Sequence, residues 1–138
     1  MEINNNGLYT LVDGDYKPYQ IPTTGRVIVC GVPGAFTPGC THRHLPGFAK
    51  AISDCVLNDK VVFISVNDAS VMHEWNKIYG HSDIDAVADP LAVFTKSIGK
   101  EVDFGNTMGM RSKRYAMLIE DGVFVKFYDD PFIEGVVG

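Results

Sequence analysis

Only three cysteines occur in the 138 residues, Cys30, Cys40 and Cys55, at wide spacings and with no Cys-x-x-Cys pair. An odd, scattered set excludes a disulfide-stapled secreted scaffold and fits a reducing, cytoplasm-like compartment. No run of Lys and Arg forms a basic patch and the net charge is −5, which argues against a nucleic-acid surface. No apolar stretch approaches the roughly 18 to 20 residues of a membrane span, so a membrane partner is not expected. The opening Met1-Glu2-Ile3-Asn4-Asn5-Asn6-Gly7 carries neither the basic flank nor the apolar run of a secretory signal. Internal repeats, low-complexity tracts and linkers are missing too. At 46% hydrophobic the chain has enough apolar material for one good core, and residues 1–138 read as a single domain.

Two kinds of segment alternate along it. Leu8 to Val12 and Tyr16 to Ile21 flank the turn signal Asp13-Gly14-Asp15 and predict an N-terminal β-hairpin. Arg26 to Val32 and Lys60 to Asn67 are continuous apolar runs rich in β-branched residues, as strands covered on both faces are. After Cys40, helical spacing puts Leu45, Phe48, Ala49, Ile52 and Val56 on one face, with Pro46-Gly47 kinking or restarting the helix near its beginning. A second helix over Ser70 to Tyr79 shows Val71, Trp75 and Ile78 as its apolar face, and a short third runs from Leu91 to Ile98 with Gly99 closing it. Arg114 to Glu120 is another buried strand, joined through Asp121-Gly122 to Val123–Tyr128 in a hairpin. This order predicts an α/β domain with a mixed central sheet and helices on both faces, and the thioredoxin-like arrangement suits it best at this length.

Cys40 stands where the first buried strand gives way to a helix, at the end of Pro33-Gly34-Ala35-Phe36-Thr37-Pro38-Gly39-Cys40. A thiol there lies against the unpaired N–H groups and positive end of the helix, which favour thiolate over thiol. Reducing a peroxide needs such a nucleophile, donors that hold the two peroxide oxygens in line, and stabilisation of the leaving oxygen. Thr37 lies on the same turn to orient the peroxide, while Pro33 and Pro38 stiffen the approach and shield the sulfur from water. The missing permanent charge must come from elsewhere, and Arg114, opening a buried strand, is the leading candidate, with Arg111 its rival.

Pro33, Thr37 and Cys40 form P-x-x-x-T-x-x-C, which resembles the active-site signature of the peroxiredoxins. The longer stretch from Pro33 to Phe48, with Ser65 to Trp75 and Arg111 to Gly122, is similar to the type II, or fifth, subgroup. The resemblance implies a thioredoxin fold, a peroxidatic Cys40 oxidised to sulfenic acid on each turnover, polar partners at Thr37 and Arg114, and a shielding Pro33. It places Arg111 at a loop position and gives His44 a supporting role for the active-site helix through hydrogen bonds. It also implies frequent homodimers and neither metal nor organic cofactor. Relatives in the subgroup usually run some twenty residues further into a terminal helix, and some carry a resolving cysteine there. This sequence stops at Gly138, nine residues after Asp129, and none of those nine is a cysteine.

Cys55 follows Cys40 by fifteen residues. An unbroken helix would separate the two by roughly 20 Å, against the roughly 7 Å that a disulfide tolerates between Cα atoms. Cys55 is read as an inert thiol on the helix's apolar face beside Ile52, and Cys30 as a packed strand residue. The expectation is therefore a one-cysteine peroxidase for hydrogen peroxide and alkyl hydroperoxides, reduced by glutaredoxin with glutathione or by thioredoxin. A thiol–disulfide oxidoreductase is disfavoured for want of a Cys-x-x-Cys pair, and a redox sensor oxidised once at Cys40 shares the first chemical step. Cys40, His42 and His44 also spell C-x-H-x-H, but on a helix His42 points away from the other two, and no metal is expected.

Overall fold

The computed structural model describes residues 5–137. Met1 to Asn4, part of the stretch read for a secretory signal, and Gly138 lie outside the described residues. A hairpin of β1 (Tyr9–Val12) and β2 (Asp15–Pro18) comes first, followed by β3 (Arg26–Val32). A helical segment then runs through a π-helical turn, Cys40–His44, into α1 (Leu45–Ser53). Next come β4 (Lys60–Ser65), α2 (Ala69–Tyr79), β5 (Ile84–Ala88) and α3 (Val93–Ser97). A small hairpin, β6 (Glu101–Asp103) with β7 (Met110–Ser112), leads to β8 (Tyr115–Glu120), β9 (Val123–Phe127) and α4 (Ile133–Val137).

Seven strands form one mixed sheet in the order β2-β1-β5-β4-β3-β8-β9. The central β3, β4 and β5 are parallel, and β8 runs antiparallel to β3. Alternation along β3 sends Ile28, Cys30 and Val32 to a core shared with Leu45, Phe48 and Trp75 of α1 and α2. Val27 and Val29 face the opposite core, with Phe94, Ile98, Tyr115 and Met117. Both faces of the central strands are covered, as their continuous apolar runs require. This is the thioredoxin-like α/β fold, with the N-terminal hairpin in place.

The register between β3 and β8 matters most for function. Gly31 pairs with Tyr115, so the start of β8, and Arg114 before it, lie beside the C-terminal end of β3. Tyr115's ring occupies the space where a side chain at position 31 would stand: a Cβ there would lie 1.8 Å from its Cε2. Gly31→Ala must therefore displace a fully packed ring next to Arg114. We expect a loss of about 3 kcal/mol or more in urea unfolding, on the scale of severe overpacking; an unchanged midpoint would contradict this packing.

Several elements differ from the sequence reading, each for a local reason. Pro46 has no N–H to donate, and the chain accommodates it by widening the preceding turn, where Leu45 N–H bonds to the Cys40 carbonyl. Helix α1 stops at Ser53, so Cys55 is not a core thiol; it is exposed, in the left-handed region at φ 58°. Val56 N–H returns to the Ala51 carbonyl and Cys55 N–H to that of Ile52, the hydrogen-bond pattern of a Schellman cap. The reversal turns Val56 outward and Leu57 inward. On α2 the buried stripe is Ala69, Met72 and Trp75, and Ile78 faces solvent. Helix α3 begins only at Val93 because Ala92 is left-handed, which leaves Leu91 exposed. Strands β5, β6 and β7 have no counterpart in the sequence reading, and β4 ends at Ser65 rather than Asn67.

Candidate active site

The helical segment starts at Pro38, where a proline's missing N–H costs nothing. Thr41 N–H is bonded to the Thr37 carbonyl at 2.9 Å, so Thr37 stands at the N-terminal cap and Cys40 in the first turn. The turn before the cap is tied to the sheet by Asn67, whose Oδ1 accepts from Ala35 N–H at 3.0 Å and from the Ser65 hydroxyl at 2.6 Å. Trp75, fully buried, donates its indole N–H to the Thr41 hydroxyl at 3.0 Å and fixes the helix from beneath. The loop thus hangs at the carboxyl ends of β3 and β4, where open α/β sheets build their sites.

Cys40 has no exposed surface, and two donors reach its sulfur. The Thr37 hydroxyl lies 3.0 Å from Sγ and 2.6 Å from the Gly34 carbonyl. A hydroxyl has a single proton, so it serves one acceptor at a time and can turn to the sulfur when negative charge develops there. Arg114 Nη2 lies 3.3 Å from Sγ. Gly39 makes room for it: a Cβ at that position would sit 2.9 Å from Arg114 Nη2. Pro33 directly follows β3, half-buried, at the head of the turn that returns at Thr37. Arg111 donates its Nε–H to the Met108 carbonyl at 3.0 Å and lays its Nη1 against Gly34 of the active-site turn, 3.1 Å from where a Cβ there would stand. The structure brings Thr37, Cys40 and Arg114 together; Arg111 makes no hydrogen bond to the sulfur.

His44, which the resemblance gives a supporting role, joins the site through two hydrogen bonds. Its ring is buried, its Nε2 donates to the Pro131 carbonyl at 2.9 Å, and its Nδ1 accepts from Arg114 Nη1 at 3.1 Å. The acceptor at one nitrogen leaves a lone pair on the other, so the ring is neutral and holds the guanidinium. Burial first, and then the neighbouring Arg114 charge, push the His44 pKa down from 6.5 to about 3. The folded chain therefore refuses a proton that the unfolded chain accepts. Stability from this group is complete above about pH 6.5 and falls as the pH drops towards 3, by up to about 1.4 kcal/mol per unit. Between pH 7 and 4.5 the unfolding free energy should fall by roughly 2 to 3 kcal/mol more than in His44→Gln, which cannot titrate. Parallel urea curves for the two proteins would contradict this.

The other thiols are differently placed. Cys30 is fully buried in β3, and desolvation pushes its pKa well above the usual thiol value, which keeps it protonated and unreactive. Cys55 lies beyond the far end of α1. His42 is exposed while His44 is buried against Arg114, and among the described residues no three His, Cys, Asp or Glu side chains are grouped to hold a metal ion. Among them, too, no helix is long and apolar enough to cross a membrane.

Comparison with known proteins agrees with this geometry. The Redoxin family model matches residues 9–136. Peroxiredoxin-2C of Oryza sativa subsp. japonica is 36% identical over 118 residues, covering 79% of this chain and 73% of the relative. Peroxiredoxin-2E-2, a chloroplastic protein of the same plant, is 38% identical over 121 residues, which is 80% of this chain but 54% of that protein. The chain thus spans about half to three quarters of the length of these relatives. Among solved structures, reduced Prx3 of Vibrio vulnificus in complex with hydrogen peroxide superposes with a TM-score of 0.83 at 34% identity, over 92% of this chain and 84% of that one. Peroxiredoxin 5 of Alvinella pompejana gives a TM-score of 0.79 at 29% identity, over 99% and 92%. With a Redoxin match along nearly its whole described length and these relatives on both counts, the chain belongs to the peroxiredoxins.

Proposed function

We propose that the chain is a thiol-dependent peroxidase acting on hydrogen peroxide and small alkyl hydroperoxides through Cys40. One observation carries this reading: Sγ of Cys40 is met by the Thr37 hydroxyl at 3.0 Å and the Arg114 guanidinium at 3.3 Å. In the reaction the thiolate attacks one peroxide oxygen, the O–O bond breaks, and the other oxygen leaves as water or alcohol after taking a proton. The sulfur gains that first oxygen as a sulfenic acid. Thr37 steers the attacked oxygen, and the Arg114 guanidinium stabilises the charge that shifts onto the leaving one. Since Cys40 is covered, a peroxide is admitted by an outward shift of Arg114 or of the turn around Thr37. Pro33 holds that turn against the end of β3.

The cycle closes with an external thiol. It condenses with the sulfenic acid, releasing water and leaving a mixed disulfide, and a second thiol frees Cys40. We assign this one-cysteine mode because Cys30 is sealed in the sheet and the helical segment from Cys40 to Ser53, roughly 20 Å long, stands between the site and Cys55. Glutaredoxin with glutathione, or thioredoxin, is the proposed reductant, in a reducing compartment such as the cytoplasm. Exposed Phe36, Leu91 and Phe104 offer apolar surface suited to a homodimer of these single-domain chains, which a light-scattering mass would settle. The peroxidase reading predicts many peroxide equivalents consumed per chain when either reductant is supplied. Consumption that stops at one equivalent would instead identify a redox sensor.

A further inference from the structure

After β9 the chain folds back across the face of the active-site helix, and three contacts tie it down. The Pro131 carbonyl takes the Nε2 proton of His44 at 2.9 Å. The Phe132 ring, half-buried, carries the Arg43 guanidinium at 3.8 Å from its centroid and that of Arg114 at 5.2 Å. Its centroid is also 5.2 Å from that of His44. Ile133 packs against Gly47 of α1, where an added Cβ would lie 3.1 Å from Ile133 Cγ2. The segment is itself braced, with Asp130 accepting from Phe132 N–H at 3.0 Å and Val136 N–H returning to the Phe132 carbonyl at 3.2 Å.

We propose that this segment is a clamp for the active-site arginine, with Phe132 the positioning residue that acts through Arg114. The inference deepens the peroxidase reading and rests on it for its kinetic consequence. A free arginine side chain samples many rotamers, and holding one costs entropy that some contact must offset. Around Arg114 the sulfur lies at one Nη and His44 at the other, which fixes the edge of the guanidinium but not its face. An aromatic face against it supplies the remaining constraint, because the ring's negative quadrupole attracts the cation. Arg43 shares the same ring and has Glu134 beside it at 3.8 Å, so its positive charge draws the tail onto the helix. The Pro131 carbonyl completes the arrangement by selecting the His44 tautomer whose Nδ1 lone pair meets Arg114.

The test separates the aromatic face from simple burial. Phe132→Leu keeps an apolar side chain of similar reach without a ring, and Phe132→Tyr restores the ring. Two readouts are needed: the second-order rate of peroxide reduction, and the NMR order parameter of the Arg114 Nε–H. We expect Phe132→Leu to react roughly five-fold more slowly and Phe132→Tyr to keep the wild-type rate. In an Arg114→Ala background the Leu substitution should change the rate by less than about two-fold, since the partner it acts through is gone. The Arg114 order parameter should fall towards about 0.6 in the Leu variant and stay high in the other two proteins. A Leu variant with wild-type rate and an immobile Arg114, or one that slows equally without Arg114, would overturn the clamp. A wild-type protein that consumes no peroxide, yet loses Arg114 order on Phe132→Leu, would sink the peroxidase reading and leave the clamp standing.

Discussion

Replacing Cys40 by serine should reduce peroxide consumption to the uncatalysed level while leaving the fold intact. The reason is chemical rather than structural. A serine oxygen in this position is un-ionised and far less nucleophilic than a thiolate, and it has no sulfenic state through which to pass an oxygen atom on to a thiol. Serine is the replacement nearest in shape to cysteine, and its hydroxyl would have the Thr37 hydroxyl beside it, so its burial leaves no orphaned polar group. Far-UV circular dichroism and a urea midpoint should therefore match the wild type within about 1 kcal/mol. Survival of even about a tenth of the rate in a coupled peroxidase assay, which corresponds to a barrier change of only ~1.4 kcal/mol, would move the chemistry to another residue.

The second large effect is expected at Arg114. Its guanidinium holds a charge and a directed donor against the sulfur, and removal of a comparable donor costs about 10²- to 10³-fold in rate. Arg114→Ala should fall in that range. Arg114→Lys should recover only part, because an ammonium is a point charge and cannot bond the sulfur and His44 in one plane as the two Nη groups do. Arg111→Ala should have the smaller effect, since its nearest hydrogen bond goes to its own loop at the Met108 carbonyl. An unchanged rate in Arg114→Ala with a large loss in Arg111→Ala would exchange the two roles. Stopped-flow measurement of the first turnover, without reductant, isolates the step concerned.

Much of this arrangement was legible in the residues, and the limits are physical. The β3 and β4 runs are continuous and apolar because both faces are covered, and Asp13-Gly14 and Asp121-Gly122 stand in the β1–β2 and β8–β9 hairpin turns. Cys40, Thr37 and Arg114 were singled out from a strand-to-helix junction and a strand opening, and the antiparallel register of β3 with β8 brings them together. Strand β5 is not legible in the sequence because Asp85 and two alanines dilute its apolar pattern. Cys55 differs from its sequence reading because the left-handed cap residue at the end of α1 is a cysteine, where a glycine would signal the stop. The partners Asn67, Pro131 and Phe132 act across 32, 87 and 88 residues of chain respectively, from Asn67 to Ala35 and from the tail to His44. Contacts so far apart carry no local pattern; only the packed fold reveals them.

Sulfenic-acid trapping tests the central claim most directly. The reduced protein is treated with one equivalent of hydrogen peroxide in the presence of a carbon-acid trap such as dimedone, and the adduct is located by peptide mass spectrometry. The geometry around Sγ predicts a single adduct, on Cys40, with Cys30 and Cys55 unmodified and no disulfide formed. Peroxide consumed with Cys40 still a free thiol, and the adduct on Cys55 instead, would contradict the account.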